Sequence, residues 1–506
     1  MFKFSRLFFV YVIAALLALI LGYLVSSPDR TTFMVIIGLL FFFSLPFFLK
    51  WHHVLLIVFW NSMFNFAFLP GSPDFWLTLA FLSFGISFLS HIMFQKRFLR
   101  APELTYPVLF LAAVVVFTGW YRGGIGVRAL GGASYGGKNY ITAIGAILGY
   151  FAFTAERIPI QKGRKMADWF FLSGAANALS SLVYMAGPAF YFLYLVVPTS
   201  AAIEQASSEY AVASGSGVER ISALASTSIA IFCFLLAHFG IRGLFDMSKP
   251  WRFVILCLTV GAGLFAGFRS AMATLVFLFV FQFYFEGLMR THLMPVVIGL
   301  AICGFIPCLF FAQSLPQSVQ RAISFLPVNV DFEVGQDAKA STGWRHEMWA
   351  DVWKDVPKYL IIGKGYSVDP EVIYMANLAT HEGAAPAYEG AMVVGNYHNG
   401  PLSVLIPFGI LGMIGFVWVL IGGYRVLYAN LRFGDARLRL INGVLLSYYL
   451  AYCISFFFIF GAFNSELNYF LGICGFSVSL NGGVRRRAAP KRQPIPAPQT
   501  LAMEPG

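Results

Sequence analysis

The sequence predicts an all-α, polytopic helical membrane protein with about 12–14 transmembrane helices and one large extracytoplasmic loop. Three observations carry this. The chain is 58% hydrophobic and only 11% charged, with a mean hydropathy of +0.73, whereas soluble domains carry roughly 25% charged residues. Apolar segments of about 20 residues, enough to cross a bilayer, recur along nearly all of it. Lys and Arg alternate between the connecting segments, as the positive-inside rule requires.

The candidate spans, in order, are 7–26, 32–49, 53–70, 75–94, 105–120, 140–155, 168–197, 221–241, 253–268, 270–286, 294–312, 400–423, 440–462 and 466–481. The first follows Lys3 and Arg6 and is too long for the core of a cleaved signal peptide. The span 53–70 carries Asn61 and Asn65, and the pair 253–268 and 270–286 forms a tight hairpin at Arg269-Ser270. With the N-terminus inside, the cytoplasmic segments hold 23 of the 35 Lys and Arg residues, and both termini are expected in the cytoplasm. Residues 1–482 then form a membrane domain, with the extracytoplasmic loop at 313–398 containing short amphipathic helices. Residues 483–506, basic and then rich in Pro and Ala, are expected to be a disordered cytoplasmic tail.

Composition removes several functions. The net charge of +12 is explained by cytoplasmic loops, and no basic nucleic-acid module is present, so nucleic acid is not an expected partner. All six cysteines lie in apolar segments and read as small buried hydrophobes. His346 and His381-Glu382 lack zinc-ligand spacing, and Asp331-Phe332-Glu333 reads as a solvated acidic stretch. No metal and no cofactor is expected. His91 and His238, inside spans, read as satisfied core histidines.

The extracytoplasmic side carries the chemistry-bearing residues. Arg220 precedes span 221–241, Arg269 sits at the hairpin tip, and Arg345 lies in Gly343-Trp344-Arg345-His346-Glu347-Met348-Trp349. One arginine at a helix end is ordinary snorkelling to headgroups. Three on one surface suit a polyanion, because each guanidinium grips phosphate oxygens with a fork of donors. His398, in Tyr397-His398-Asn399-Gly400-Pro401-Leu402, stands where the polar loop meets the next apolar helix, so it is placed for proton chemistry on a membrane-borne molecule. The loop itself is long enough to be functional. Within it, Trp344 to Val356 has the pattern of an amphipathic helix, suited either to the headgroup layer or to packing on the bundle. Arg122, Arg128 and Lys138 lie in the Gly-rich segment 121–140, which reads either as a second sugar- or phosphate-binding flap or as a flexible connector.

These residues resemble a known family. Phe268-Arg269-Ser270 between two spans, Arg345 followed by Trp349, Pro357 with Gly363-Lys364-Gly365, and His398-Asn399 with Leu402 and Gly409-Ile410-Leu411-Gly412 are similar to the O-antigen ligase and polymerase superfamily. The likeness covers about Arg220 to Gly415, and the hairpin tip departs from it in reading Gly-Phe-Arg-Ser. It implies a membrane glycosyltransferase of the bacterial cytoplasmic membrane. A glycan would pass from a polyprenyl (undecaprenyl) diphosphate donor to a hydroxyl of a glycan, lipid or protein acceptor on the outer face. His398 would be the catalytic base, Arg220, Arg269 and Arg345 would bind the diphosphate, and Asn399, Arg122 and Arg128 are possible accessory residues. The reaction would be metal-independent and inverting. The competing expectation is a transporter or flippase of lipid-linked saccharides, which should instead carry ionisable residues near the bilayer midplane.

Overall fold

A computed structural model describes residues 30–126, 134–213 and 217–486, with Ala18 and Gly22. The expected first span 7–26, Arg128, and the tail from 487 onward lie outside the described residues. The described chain is a helical bundle of membrane type. Its helices are α1 (Arg30–Phe59), α2 (Phe75–Phe94), α3 (Pro102–Arg122), α4 (Gly137–Thr154), α5 (Ile160–Leu172), α6 (Ala178–Ala186), α7 (Ser200–Ala213), α8 (Ser222–Leu244) and α9 (Trp251–Phe265). They continue with α10 (Arg269–Phe285), α11 (Leu293–Phe311), α12 (Gln317–Ile323), α13 (Phe332–Tyr359), α14 (Pro370–His381), α15 (Glu389–Val393), α16 (Gly400–Phe433), α17 (Arg439–Phe458) and α18 (Phe463–Asn481). Eight helical stretches among the described residues are long and apolar enough to cross a membrane, and α9 and α10 are shorter apolar helices.

Three expected spans differ. Segments 32–49 and 53–70 are not separate, because α1 runs unbroken through Lys50-Trp51-His52-His53 to Phe59. A charge and two histidines do not interrupt a helix. His52 is bonded to Ser83 at 2.8 Å and His53 to the Phe153 carbonyl at 3.2 Å, so both polar rings are satisfied inside the bundle. What ends α1 is the run from Asn61 to Asp74, which holds Pro70, Gly71 and Pro73. The expected span 168–197 is likewise broken: α5 passes through a 3-10 turn at Ser173–Asn177 into α6, and a second 3-10 stretch follows at Pro188–Leu195.

α4 and α18 pack together most extensively and form the centre of the bundle. Small residues allow their close approach. A Cβ at Gly475 of α18 would lie 2.8 Å from the Phe153 Cβ of α4, and ones at Gly472 of α18 and Gly149 of α4 would lie 1.8 and 2.3 Å from the Trp60 indole that packs against both. Trp60 also donates to the Asn468 carbonyl at 3.1 Å. α18 is buried along almost its whole length, so its Ser and Asn side chains face protein rather than lipid. α11 is the opposite case, with no buried residue.

The basic connectors gather at one end of the bundle. There Arg486 pairs with Glu103 at 2.6 Å, Val484 N–H bonds the Arg100 carbonyl at 3.2 Å, and Ile158 N–H bonds the Ser479 carbonyl at 3.0 Å. The long segment 313–397 closes the other end.

That segment is locked onto α16 by a break in the helix. Gly409 has φ 64° and ψ −164°, and Pro407 precedes it, so backbone groups are freed inside an apolar helix. The chain at 360–365 supplies their partners. Ile410 N–H donates to the Leu360 carbonyl at 2.7 Å, Lys364 N–H to the Ile406 carbonyl at 2.8 Å, and Gly365 N–H to the Pro407 carbonyl at 2.9 Å. Gly363 makes the approach possible, since a Cβ there would lie 2.0 Å from the Pro407 oxygen. Gly363→Ala is therefore expected to destabilise the protein by about 1–3 kcal/mol through overpacking. The measurement is the thermal unfolding midpoint in detergent, which should fall relative to wild type.

Candidate functional site

The end of the bundle that carries segment 313–397 encloses a chamber of about 720 Å³. Arg220, Arg269, Arg321, Arg345 and His398 line it, together with the aromatic rings of Phe268, Trp349 and Phe460. Four residues expected from the sequence thus meet in one cavity, although they lie up to 178 positions apart (220 to 398).

Each is positioned by local structure. Arg220 immediately precedes α8, where Ile221 N–H bonds the Ala266 carbonyl at 3.1 Å and ties the start of α8 to the hairpin. Arg269 is the first residue of α10, two positions after Gly267, whose φ of 77° turns the chain between α9 and α10. Its guanidinium reaches the Ala338 carbonyl at 3.3 Å, on α13. Arg345, also on α13, stands over the Phe460 ring at 6.0 Å. Burial, and then the charges of Arg269, Arg321 and Arg220, push its pKa below the ordinary value. Cations crowded in this way favour an anionic guest.

Sequence reasoning missed two members of the site. Arg321, on α12, is 4% exposed and donates from Nη1 to the Gly267 carbonyl at 2.7 Å. Asp337, on α13, bridges the cations, accepting from Arg321 Nε at 2.5 Å and from Arg220 Nη2 at 2.9 Å. Burial works against the Asp337 charge, yet the hydrogen bond from Arg321 and the charges of Arg321 and Arg220 hold its carboxyl below the usual carboxylate range. Arg321 was only one of several basic residues in a long polar loop, and nothing in its neighbours marks it. With Glu204 in the wall and Asp337 behind it, two carboxylates face four guanidinium groups, so the chamber is positive.

His398 is held by strain and by rings. Its φ of 48° lies in the left-handed region, one of three such non-glycine positions among the described residues. Next to it Asn399 caps α16, its side chain accepting from Leu402 N–H at 3.0 Å, and Pro401 occupies the first turn. On the other side Trp349 Nε1 donates to the Tyr397 carbonyl at 2.8 Å. The imidazole lies between Trp344 and Phe460, with ring centroids 5.2 and 5.0 Å away. Its Nδ1 is buried without a hydrogen-bond partner among the described residues. Burial, and next the positive charge of Arg345, pull the imidazole down to about 4. It is therefore neutral near pH 7 and able to accept a proton.

Residues 211–417 match the family model of O-antigen ligase. This part of the chain is similar to the O-antigen ligase family. The matched segment contains Arg220, Arg269, Arg321, Asp337, Arg345 and His398. No curated protein matches the chain.

The remaining expected residues fall elsewhere. Asn399 serves as the cap of α16 and does not line the chamber. Arg122 spends its guanidinium on the loop backbone, donating from Nε to the Gly363 carbonyl at 2.8 Å and from Nη2 to the Ile362 carbonyl at 3.2 Å. The described part of the Gly-rich segment follows it: Tyr135 N–H bonds the Val368 carbonyl at 2.8 Å. Asp331 is likewise engaged, accepting from Gln320 at 2.8 Å. The tryptophan-bearing stretch lies within the longer helix α13, which packs on the start of α16. Met348, Val352 and Val356 are buried with Tyr397, Leu402 and Ile406, while Trp353 stays exposed.

Proposed function

We propose that the chamber transfers a glycan from a polyprenyl-diphosphate donor to a hydroxyl group of an acceptor, on the outer face of the cytoplasmic membrane. The observation that carries this reading is the meeting of four arginines and a neutral histidine in one cavity. In the transfer, the acceptor oxygen forms a bond to the anomeric carbon as the bond to the diphosphate oxygen breaks. Direct displacement inverts the configuration. Negative charge builds on the leaving diphosphate, and fixed guanidinium groups stabilise it without a metal. The acceptor proton passes to the His398 imidazole. Asp337 sets two of the arginines in place before the donor arrives, so little reorganisation remains for the reacting state. The sidedness is supported by the basic connectors of the opposite end of the bundle, which the positive-inside rule assigns to the cytoplasm.

The pH dependence tests this reading. His398 must be neutral to act, so the free protein loses competence only as pH falls through about 4. A bound diphosphate offsets the charge of Arg345 and its neighbours, which favours the imidazolium and raises the pKa. The acid limb of kcat is therefore expected at higher pH than that of kcat/KM, which reports the free enzyme. Initial rates across pH 4–8 measure both, and coincident limbs would contradict the assignment of His398 as the base.

A further inference from the structure

A second cavity, of about 330 Å³, adjoins the chamber. The two share Phe268, Ser270 and Phe460 as a common wall. Phe268 and Ser270 flank Arg269, and Phe460 touches His398, so the shared wall lies between the two groups that the transfer reaction needs on either side of the anomeric carbon. The second cavity has a different chemistry from the first. No arginine or lysine lines it. Its polar groups are hydroxyls, amides and one carboxyl: Asn61, Ser226, Thr274, Ser455 and Glu466. Tyr448, Tyr452 and Tyr469 add ring faces, with centroids 4.4 Å apart for the first pair and 5.4 Å for the second.

Glu466 is the telling residue. It sits in the first turn of α18, where an acid suits the helix dipole. That role is met as well by a solvent-facing side chain. Here Oε2 is buried and has no hydrogen-bond partner among the described residues. Burying an unpaired acid is costly, so such a group is retained where something else completes it. A ligand with several hydroxyl donors and an apolar face fits the carboxyl, the hydroxyls and the tyrosine rings together. A sugar ring is such a ligand, and an isoprenoid chain, with no donors, is not.

We infer that this cavity receives the sugar ring attached to the donor diphosphate, with Glu466 accepting hydrogen bonds from its hydroxyl groups. The inference rests on the diphosphate reading of the arginine chamber and deepens it. The ring then lies with its diphosphate toward Arg269 and its anomeric carbon toward His398. Glu466 acts as a specificity-determining residue outside the segment that matches the O-antigen ligase family.

The test uses full-length protein in nanodiscs and two probes: undecaprenyl diphosphate, and undecaprenyl diphosphate carrying one N-acetylglucosamine. Dissociation constants are measured for wild type and Glu466→Gln. The variant is expected to bind the sugar-bearing lipid roughly tenfold more weakly, the upper size of one neutral hydrogen bond, and the sugar-free lipid as wild type does. Equal binding of the sugar-bearing lipid by both proteins, or equal weakening for both lipids, overturns the sugar site. Wild-type protein that binds neither lipid overturns the diphosphate chamber, and this inference with it. Should Glu466→Gln fail to reach the membrane, Tyr452→Phe from the same wall takes its place with the same expectations.

Discussion

His398→Ala is expected to lower glycan transfer by a factor on the order of 10² to 10⁴, the range that a positioned general base contributes. The protein should still insert and fold. Among the described residues, His398 donates no hydrogen bond that holds another element, and its Nδ1 has no partner. The cap of α16 belongs to Asn399, which the substitution leaves in place. Alanine at a backbone φ of 48° carries some strain, as histidine does already. The comparison is therefore between two folded proteins, and size-exclusion profiles in detergent should coincide. The strained backbone and the two flanking rings fix the imidazole without a carboxylate partner, so its orientation depends on Trp344 and Phe460. Loss of transfer with an unchanged affinity for the sugar-free donor lipid would separate a lost base from a lost binding site.

Arg269→Ala is expected to cost a factor on the order of 10² to 10³ in rate, the effect of removing one fixed group that stabilises developing charge. Its position gives it this weight. It is the first residue of α10, it lines the chamber, and its neighbours Phe268 and Ser270 also line the second cavity. Its own hydrogen bonds, to the Ala338 carbonyl at 3.3 Å and Thr342 Oγ1 at 3.4 Å, are long. The guanidinium is thus held in place through Nη2 while its other N–H donors remain available to a phosphate. Arg321 is different: 4% exposed and bound to both Gly267 and Asp337, it is part of the framework. Removing Arg269 should weaken donor binding and slow transfer together, and Arg269→Lys should recover only part of either, because an ammonium lacks the fork of donors. Rates and donor affinities of the purified variants give both readouts.

The sequence made the charged and titratable members of the site visible where they interrupted a pattern. Arg269 stood between two apolar segments, and His398 stood at the foot of another, so each was out of place for a simple span. Arg345 was marked by the tryptophans around it. Arg321 and Asp337 had no such contrast, since an arginine and an aspartate in a long polar segment are ordinary. Their roles arise from α12 and α13 folding back over the hairpin tip, which is a tertiary event. Arg122 shows the reverse. A basic residue beside a Gly-rich stretch suggested a phosphate flap, yet its partners are carbonyls of a loop some 240 positions away. Gly363-Lys364-Gly365 was legible as part of the family resemblance. Its use, docking against the break at Gly409, was not, because it depends on which helix has lost its own hydrogen bonds. Helix boundaries followed the same logic. Lys50 and two histidines looked like a connector, but the folded bundle bonds both histidine rings and α1 continues past them.

The most direct test of the account is transfer by the purified protein. Full-length wild type and His398→Ala, each in nanodiscs, are given a synthetic undecaprenyl-diphosphate glycan and a hydroxyl-bearing acceptor, without added metal. The account predicts a glycosylated product of inverted anomeric configuration from wild type and at most about a hundredth of that rate from the variant. Undiminished product from His398→Ala, or movement of the intact lipid-linked glycan across a bilayer with no product at all, would contradict it.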